Sequence, residues 1–229
     1  GTRGIGFSLT SLFEKAEANI IVTGKKSKAS PFKDFNNIKY HQLDFESSKS
    51  VTQFIDFINK INRIDILINN AGINKIDYLT DISIDDWDKI HKVNLRGPFE
   101  LTKAIAKKLK IQRYGKIINI ASIFGVISKS KRAAYSSTKW GLIGFTKAIA
   151  LELAHYNIQV NAISPGFVDT DLTRKILGDK KIKELVSAIP QKRMAKPEEI
   201  AKVALFLASD QNSYITGQNI IIDGGITSG

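Results

Sequence analysis

Ser122, Tyr135 and Lys139 are the residues whose types and spacing most directly suggest chemistry. Tyr135 and Lys139 stand four positions apart in Tyr135-Ser136-Ser137-Thr138-Lys139, so on a helix both point into one cleft. An unperturbed phenol has a pKa of about 10, and a neighbouring ammonium lowers it toward working pH. Tyr135 can then serve as a general acid while Ser122 hydrogen-bonds the same substrate oxygen. This division suits hydride transfer to a carbonyl carbon, where negative charge grows on the oxygen and a proton must reach it. The spacing alone also fits an exposed tyrosine and lysine on a helix surface, near an unrelated serine. The surroundings favour the first reading, because Asn69-Asn70-Ala71-Gly72 and Pro165-Gly166 each lie at the end of an apolar run of strand length, where ligands bind in open α/β sheets.

The elements that must position these residues can be read from periodicity. Apolar runs over Asn19 to Thr23, Ile38 to Leu43, Asp65 to Asn69, Lys116 to Ile120, Ile158 to Ile163 and Asn219 to Ile222 predict strands. Helical periods over Phe7 to Lys15, Ser47 to Ile61, Ile84 to Leu109, Ala134 to His155 and Pro197 to Leu207 predict helices between them. Such alternation implies right-handed crossovers, a parallel sheet and helices on both faces, which is a doubly wound, Rossmann-type α/β fold. No linker divides residues 1–229, so a single domain is expected. Asp171 to Pro190 is more polar, fits neither layer and is expected to form a lid over the site.

At 229 residues and 43% hydrophobic, the chain is long enough for one sizeable core. With no cysteine there are no disulfides or thiolate metal sites, which suits a reducing compartment. His41, His91 and His155 are scattered singly, so no metal is expected. No apolar run approaches the ~20 residues of a membrane span, and the first residues lack a basic-then-apolar signal pattern; a cytoplasmic protein without a membrane partner is expected. The net charge of +12 suits a polyanion or an acidic protein, and equally a general lysine-rich bias. No aromatic-basic stacking pattern accompanies it, so nucleic acid is not an expected partner.

Gly4 and Gly6 permit a tight turn and a close backbone approach, and the helix expected from Phe7 would aim free amide groups at an anion such as a pyrophosphate. A simple turn also satisfies the pattern, since the chain begins inside this loop with no strand before it. The apolar strand that follows, Asn19 to Thr23, ends in Thr23-Gly24-Lys25-Lys26, with no acidic residue to accept from an adenosine ribose. With Arg3 on the same side, Lys25 and Lys26 suit a 2′-phosphate and favour NADPH over NADH; a solvated basic turn is the alternative.

Taken together, these motifs resemble the short-chain dehydrogenase/reductase family over essentially the whole chain. Members commonly read Thr-Gly, three variable residues, then Gly-Ile-Gly, and Gly1, Thr2 and Arg3 match the variable positions before Gly4-Ile5-Gly6. The resemblance therefore implies a missing first strand, about ten residues upstream. Without that strand, a gap or a rearranged edge near Asn19 to Thr23 is expected. The resemblance also implies roles for individual residues. Thr2, Arg3 and Ile5 would line the cofactor; Asp44, followed by Phe45, would hydrogen-bond adenine; and Asn70, Ala71 and Gly72 would lie against the cofactor, with Asn70 also fixing the central sheet. Asn94 would hold a water in a proton relay with Ser122, Tyr135 and Lys139, and Lys139 would also bond the ribose. Pro165 and Gly166 would flank the nicotinamide, the backbone around Val168 would bind the carboxamide, and Thr170 would contact the carboxamide or phosphates.

The nearest likeness is to bacterial 3-oxoacyl-[acyl-carrier-protein] reductases, in Ser164 to Arg174 and Ala208 to Gly217. It implies a 3-oxoacyl thioester substrate, a role in fatty acid synthesis and Arg113 with Arg174 docking the acidic carrier protein. A general carbonyl, sugar or alcohol reductase, and a non-catalytic basic binding protein, remain open. Asp223-Gly224-Gly225 resembles the family's closing segment, which implies a homotetramer. Two departures stand out. Glu17 replaces the glycine expected at the end of the first helix, so that helix should close without the easy left-handed cap, and the short segment between Thr23 and Ile38 should hold a turn instead of a helix.

Overall fold

The computed structural model describes residues 1–26, 32 and 35–228, except for the side chains of residues 172 and 175–180. Half of the segment between Thr23 and Ile38, where a turn is expected, lies outside the described residues.

Six strands run parallel. β1 (Ile20–Gly24) pairs with β2 (Ile38–Gln42), and β3 (Ile66–Asn69), β4 (Gly115–Ile120), β5 (Ile158–Pro165) and β6 (Asn219–Ile222) form a four-stranded sheet in that order. β1 and β3 are not paired, so the sheet is interrupted at the place where the resemblance puts a further strand. The backbone around Asn19 to Thr23 keeps its strand form and pairs only on the β2 side.

Period-2 alternation explains how β4 serves two cores at once. Ile117 packs with α2 (Ser48–Asn59), α4 (Gly97–Gln112) and α5 (Ala133–Leu153), through Val51, Phe54, Leu101, Leu109 and Leu153. Ile118 and Ile120 face the opposite layer, where Leu9 and Phe13 of α1 (Gly4–Lys15) meet Ile200, Ala204 and Leu207 of α7 (Pro197–Ala208). This is the doubly wound α/β arrangement. Among the described residues, no helix is long and apolar enough to cross a membrane. Asp171 to Ala188, read from sequence as lid, is one helix, α6, capped at its start by Thr170, whose Oγ1 accepts from Thr173 N at 3.2 Å.

The helix expected over Ile84 to Leu109 is not continuous. α3 (Ile84–His91) passes into a π-helical turn over Lys92–Arg96 before α4 begins at Gly97. Pro98 has no N–H to complete the i→i−4 bond to the Asn94 carbonyl, so a regular ladder must fail here. Gly97-Pro98 inside a helical pattern was the available signal.

Glu17 also differs from expectation. It takes the left-handed conformation itself (φ 60°), and Ala18 N and Glu17 N donate to Phe13 O at 3.1 Å and Glu14 O at 2.8 Å, closing a Schellman motif on a residue that carries a Cβ. Left-handed backbone is costly for such a residue. Glu17→Gly is therefore expected to stabilise the protein by about 0.5–1 kcal/mol, the removed strain exceeding glycine's extra unfolded-state entropy. Urea denaturation checks this, and an unchanged or lower midpoint would show that Glu17 carries no strain.

Candidate active site

The C-terminal end of β4 delivers Ser122. Its extended backbone leads into a 3-10 turn over Ile123–Gly125, and its Oγ accepts from Phe124 N at 3.2 Å. Gly125 lets that turn press against α5, since a Cβ there would lie 2.9 Å from the Lys139 carbonyl oxygen and 2.7 Å from Ile143 Cδ1. α5 in turn carries Tyr135 and Lys139 on the face so approached, with Ser122 near enough to the phenol to favour its ionised form. The structure thus brings Ser122, Tyr135 and Lys139 together.

Lys139 is 3% exposed, and its Nζ donates to Ile120 O at 2.8 Å at the end of β4. Burial lowers its pKa from 10.5 to about 8. Tyr135 is half-buried, and burial pushes its phenol above the ordinary value, opposed by the Ser122 hydrogen bond and then by the Arg132 guanidinium. Arg132 is a neighbour that sequence reasoning missed; its place three residues before Tyr135, one helical turn away, was the signal.

Asn94 is fully buried in the π turn. Its Oδ1 accepts from Ile73 N at 2.8 Å and its Nδ2 donates to Ile73 O at 2.9 Å and to Thr138 Oγ1 at 3.2 Å, and Thr138 donates to Tyr135 O. A Cβ on Gly72 would lie 3.5 Å from Lys139 Nζ and 3.7 Å from Asn94 Oδ1, so Asn94, Gly72 and Lys139 share one wall. The two asparagines before Ala71 divide their tasks. Asn69 ties the sheet, donating to Asn119 Oδ1 at 2.8 Å and Thr102 Oγ1 at 3.2 Å. Asn70 faces the glycine loop, where a Cβ on Gly6 would meet its Nδ2 at 2.8 Å. The sheet-fixing task expected of Asn70 therefore belongs to its neighbour.

α1 begins at Gly4, and its N-terminal turn, with Thr2 and Arg3, lines an open cleft of about 470 Å³ opposite Asp169, Thr170 and Arg174. Such a helix start beside glycines and Asn70 fits a pyrophosphate. Beyond Pro165 and Gly166, Ala195 N donates to Phe167 O and Asp169 N donates to Ala195 O, leaving the backbone N–H and C=O of Val168 turned away from that bridge. Ile5 is half-buried behind the loop and packs against the α1–α7 core.

Four residues with expected roles, Lys25, Phe45, Arg113 and Arg174, are engaged within the protein. Lys25 is engaged by carboxylates, at 2.6 Å from Glu46 Oε1 and 3.4 Å from Asp44 Oδ2, and these raise its pKa. Arg3 has no carboxylate in ion-pair range among the described residues, so it is the better placed of the two cations for a 2′-phosphate. Phe45 is buried in the core with Leu43 and Val51, leaving only its backbone for a ligand. Arg113 and Arg174 do not form one docking patch within a chain: Arg113 precedes the start of β4 and donates to His155 O at 3.1 Å, whereas Arg174 follows the far end of β5 and forks onto Asp169 at 2.6 and 2.7 Å. About 20 Å of strand separates those ends.

The family model described as enoyl-(acyl carrier protein) reductase matches residues 1–227. The chain belongs to the short-chain dehydrogenase/reductase family. As a member of this dehydrogenase/reductase family, it is an oxidoreductase. It is 39% identical to the 3-oxoacyl-[acyl-carrier-protein] reductase FabG of Aquifex aeolicus, over 98% of this chain and 94% of that one. It is also 39% identical to the FabG of Thermotoga maritima, over 97% and 93%. Among solved family structures, ElxO with NADP bound superposes with a TM-score of 0.93 at 31% identity, covering 100% of this chain and 96% of that one. A gluconate 5-dehydrogenase from Burkholderia cenocepacia in complex with NADP and tartrate gives 0.92 at 32% identity, covering 99% and 92%.

The low Lys139 pKa has a measurable consequence. Between about pH 8 and 10.5 the folded protein binds fewer protons at this site than the unfolded chain, so stability rises with pH across that window. The slope approaches about 1.4 kcal/mol per pH unit from this group. Urea titrations of ligand-free wild type and Lys139→Met are expected to diverge in slope there; parallel curves would exclude the perturbed lysine.

Proposed function

We propose that this protein reduces a 3-oxoacyl thioester, carried on acyl carrier protein, to the 3-hydroxy compound with NADPH. The observation that carries the reaction is the convergence of Ser122, Tyr135 and Lys139 at the end of β4. The substrate rests on the FabG relatives, which share more of this sequence than the solved structures described above. When bound, the nicotinamide supplies the hydride. Ser122 and Tyr135 hold the substrate carbonyl oxygen, and the protonated phenol gives its proton as charge grows there. Lys139 stands 5.6 Å from the Tyr135 ring centre. In this reading it bonds the ribose and draws the phenol's pKa down, while the Asn94 carbonyl, deprived of Pro98 as a donor, holds the water that resupplies the proton.

The cofactor reading follows the same geometry. The α1 N-terminus and Thr2 receive the pyrophosphate, Arg3 the 2′-phosphate and Asp44 the adenine. Asn70, Ala71, Gly72, Pro165 and Gly166 flank the nicotinamide half; Val168 holds the carboxamide through its backbone, with Thr170 beside it. α6 is the lid. Exposed Phe99 on α4, with Trp140 and Leu151 on α5, supports assembly of four chains, which light scattering would measure. A cysteine-free chain suits the cytoplasm. A second reading, oxidation of a sugar acid, rests on the likeness to gluconate 5-dehydrogenase.

Two experiments test this function. NADPH consumption is expected with acetoacetyl thioesters, and Tyr135→Phe should lower kcat by about 10²–10⁴ while NADPH binding persists; turnover confined to sugar acids would replace the thioester reading. Calorimetry should show Arg3→Gln weakening NADPH at least about tenfold while NADH changes little, since a guanidinium–phosphate bond is charge-assisted. Equal losses on both cofactors would remove Arg3 from the 2′-phosphate.

A further inference from the structure

Arg132 and Lys131 are adjacent cations at the mouth of the site, and the fold sends them in different directions. Lys131 has a left-handed backbone (φ 67°), its carbonyl accepts from Asp77 N at 3.3 Å, and its Nζ stacks 3.9 Å from the centre of the exposed Tyr78 ring. Arg132 turns to the other side. Its carbonyl accepts from Ser136 N at 2.7 Å, opening α5, and its guanidinium lies 5.3 Å from the centre of the Phe124 ring. Phe124 meets Tyr135 edge-on at 6.3 Å and Phe167 at 6.2 Å. The guanidinium and the phenol thus both neighbour the Phe124 ring, with Ser122 two residues before it.

The guanidinium is half-buried, yet among the described residues no carboxylate lies in ion-pair range and no acceptor receives its N–H groups. Burial without a counterion disfavours this charge, and the phenol is the titratable group that interacts with it. A partly buried cation whose nitrogens still reach solvent and have no protein acceptor among the described residues, beside a proton donor, is suited to an acceptor that arrives with the substrate.

We propose that Arg132 is a substrate-binding residue, whose guanidinium donates to the oxygen on C1 of a 3-oxo substrate while Ser122 and Tyr135 hold the oxygen on C3. One methylene separates the two carbonyl carbons of such a substrate, so its second oxygen falls beside the first, and the guanidinium and the phenol neighbour the same Phe124 ring. The C1 oxygen is the thioester carbonyl of an acyl carrier or the carboxylate of a free 3-oxo acid; both present the same acceptor. This assignment rests on the carbonyl-reductase reading and adds how the site distinguishes a 1,3-dicarbonyl from a lone ketone.

The test compares wild type, Arg132→Gln and Arg132→Lys on acetoacetyl-N-acetylcysteamine, on acetoacetate and on a monoketone that the wild type reduces, such as cyclohexanone. Arg132→Gln is expected to raise KM for the 3-oxo substrates about 10- to 100-fold, with kcat far less affected, and to leave kcat/KM for the monoketone within about twofold. Arg132→Lys should recover part of the loss, with all three proteins melting alike. The larger penalty on the thioester or on acetoacetate identifies the C1 acceptor. Equal losses on 3-oxo substrates and monoketone overturn the proposal alone, whereas a wild type that reduces other carbonyls and neither 3-oxo substrate overturns the substrate reading together with it.

Discussion

Asn94 holds the catalytic end of the molecule together. Its amide satisfies both backbone groups of Ile73, just beyond the Asn69–Gly72 segment, and donates to Thr138 on α5. Three segments distant in sequence are thereby fixed by one fully buried side chain. A buried amide left without these partners would face a desolvation cost of about 1–3 kcal/mol per group, so the arrangement tolerates little drift. Asn94 sits in the π turn, and Pro98 makes a regular helix there the poorer alternative. Gly125 adds a second constraint from the other side, fixing how closely the Ser122 turn approaches α5.

Charge inside this scaffold is controlled mainly by burial. Lys139 sits among the end of β4, Gly72 and Asn94 with the Ile120 carbonyl as its acceptor and no carboxylate in ion-pair range among the described residues, so its ammonium is held near the point of deprotonation. The phenol beside it is pushed the other way by the same physics. Burial thus moves the two pKa values apart, and among the described residues neither group is paired to an acid.

Much of this was legible in sequence because it depends on local periodicity. All six strands lie where their apolar runs predict, within one or two residues, and Tyr135 and Lys139 face one cleft because four residues make about one helical turn. What escaped depends on contacts between segments far apart. Nothing in Asn69-Asn70 says which amide reaches Asn119 and which faces Gly6; that follows from strand register, which places Asn69 opposite Asn119. The π turn was legible in principle from Gly97-Pro98, but a strong helical period on both sides masked it. Phe45 beside Asp44 looked like a cofactor residue, whereas alternation along the chain sends its ring into the core.

The cation beyond β1 shows the same limit in electrostatic form. In sequence, Lys25 and Arg3 are two positive charges near one loop, and counting cannot rank them. In space, Asp44 and Glu46, brought alongside by the parallel pairing of β1 and β2, neutralise Lys25, and Lys89 reaches Glu46 at 3.2 Å from α3. A 2′-phosphate approaching Lys25 would also approach these carboxylates, so its attraction is offset by repulsion at nearly the same distance. Arg3 has no carboxylate in ion-pair range among the described residues and offers a planar fork that matches phosphate oxygens. In the proposed reading, selectivity for a phosphorylated cofactor comes from where acids are placed as much as from where bases are, and the Lys25 ion pair orients the Asp44 carboxylate proposed for the adenine.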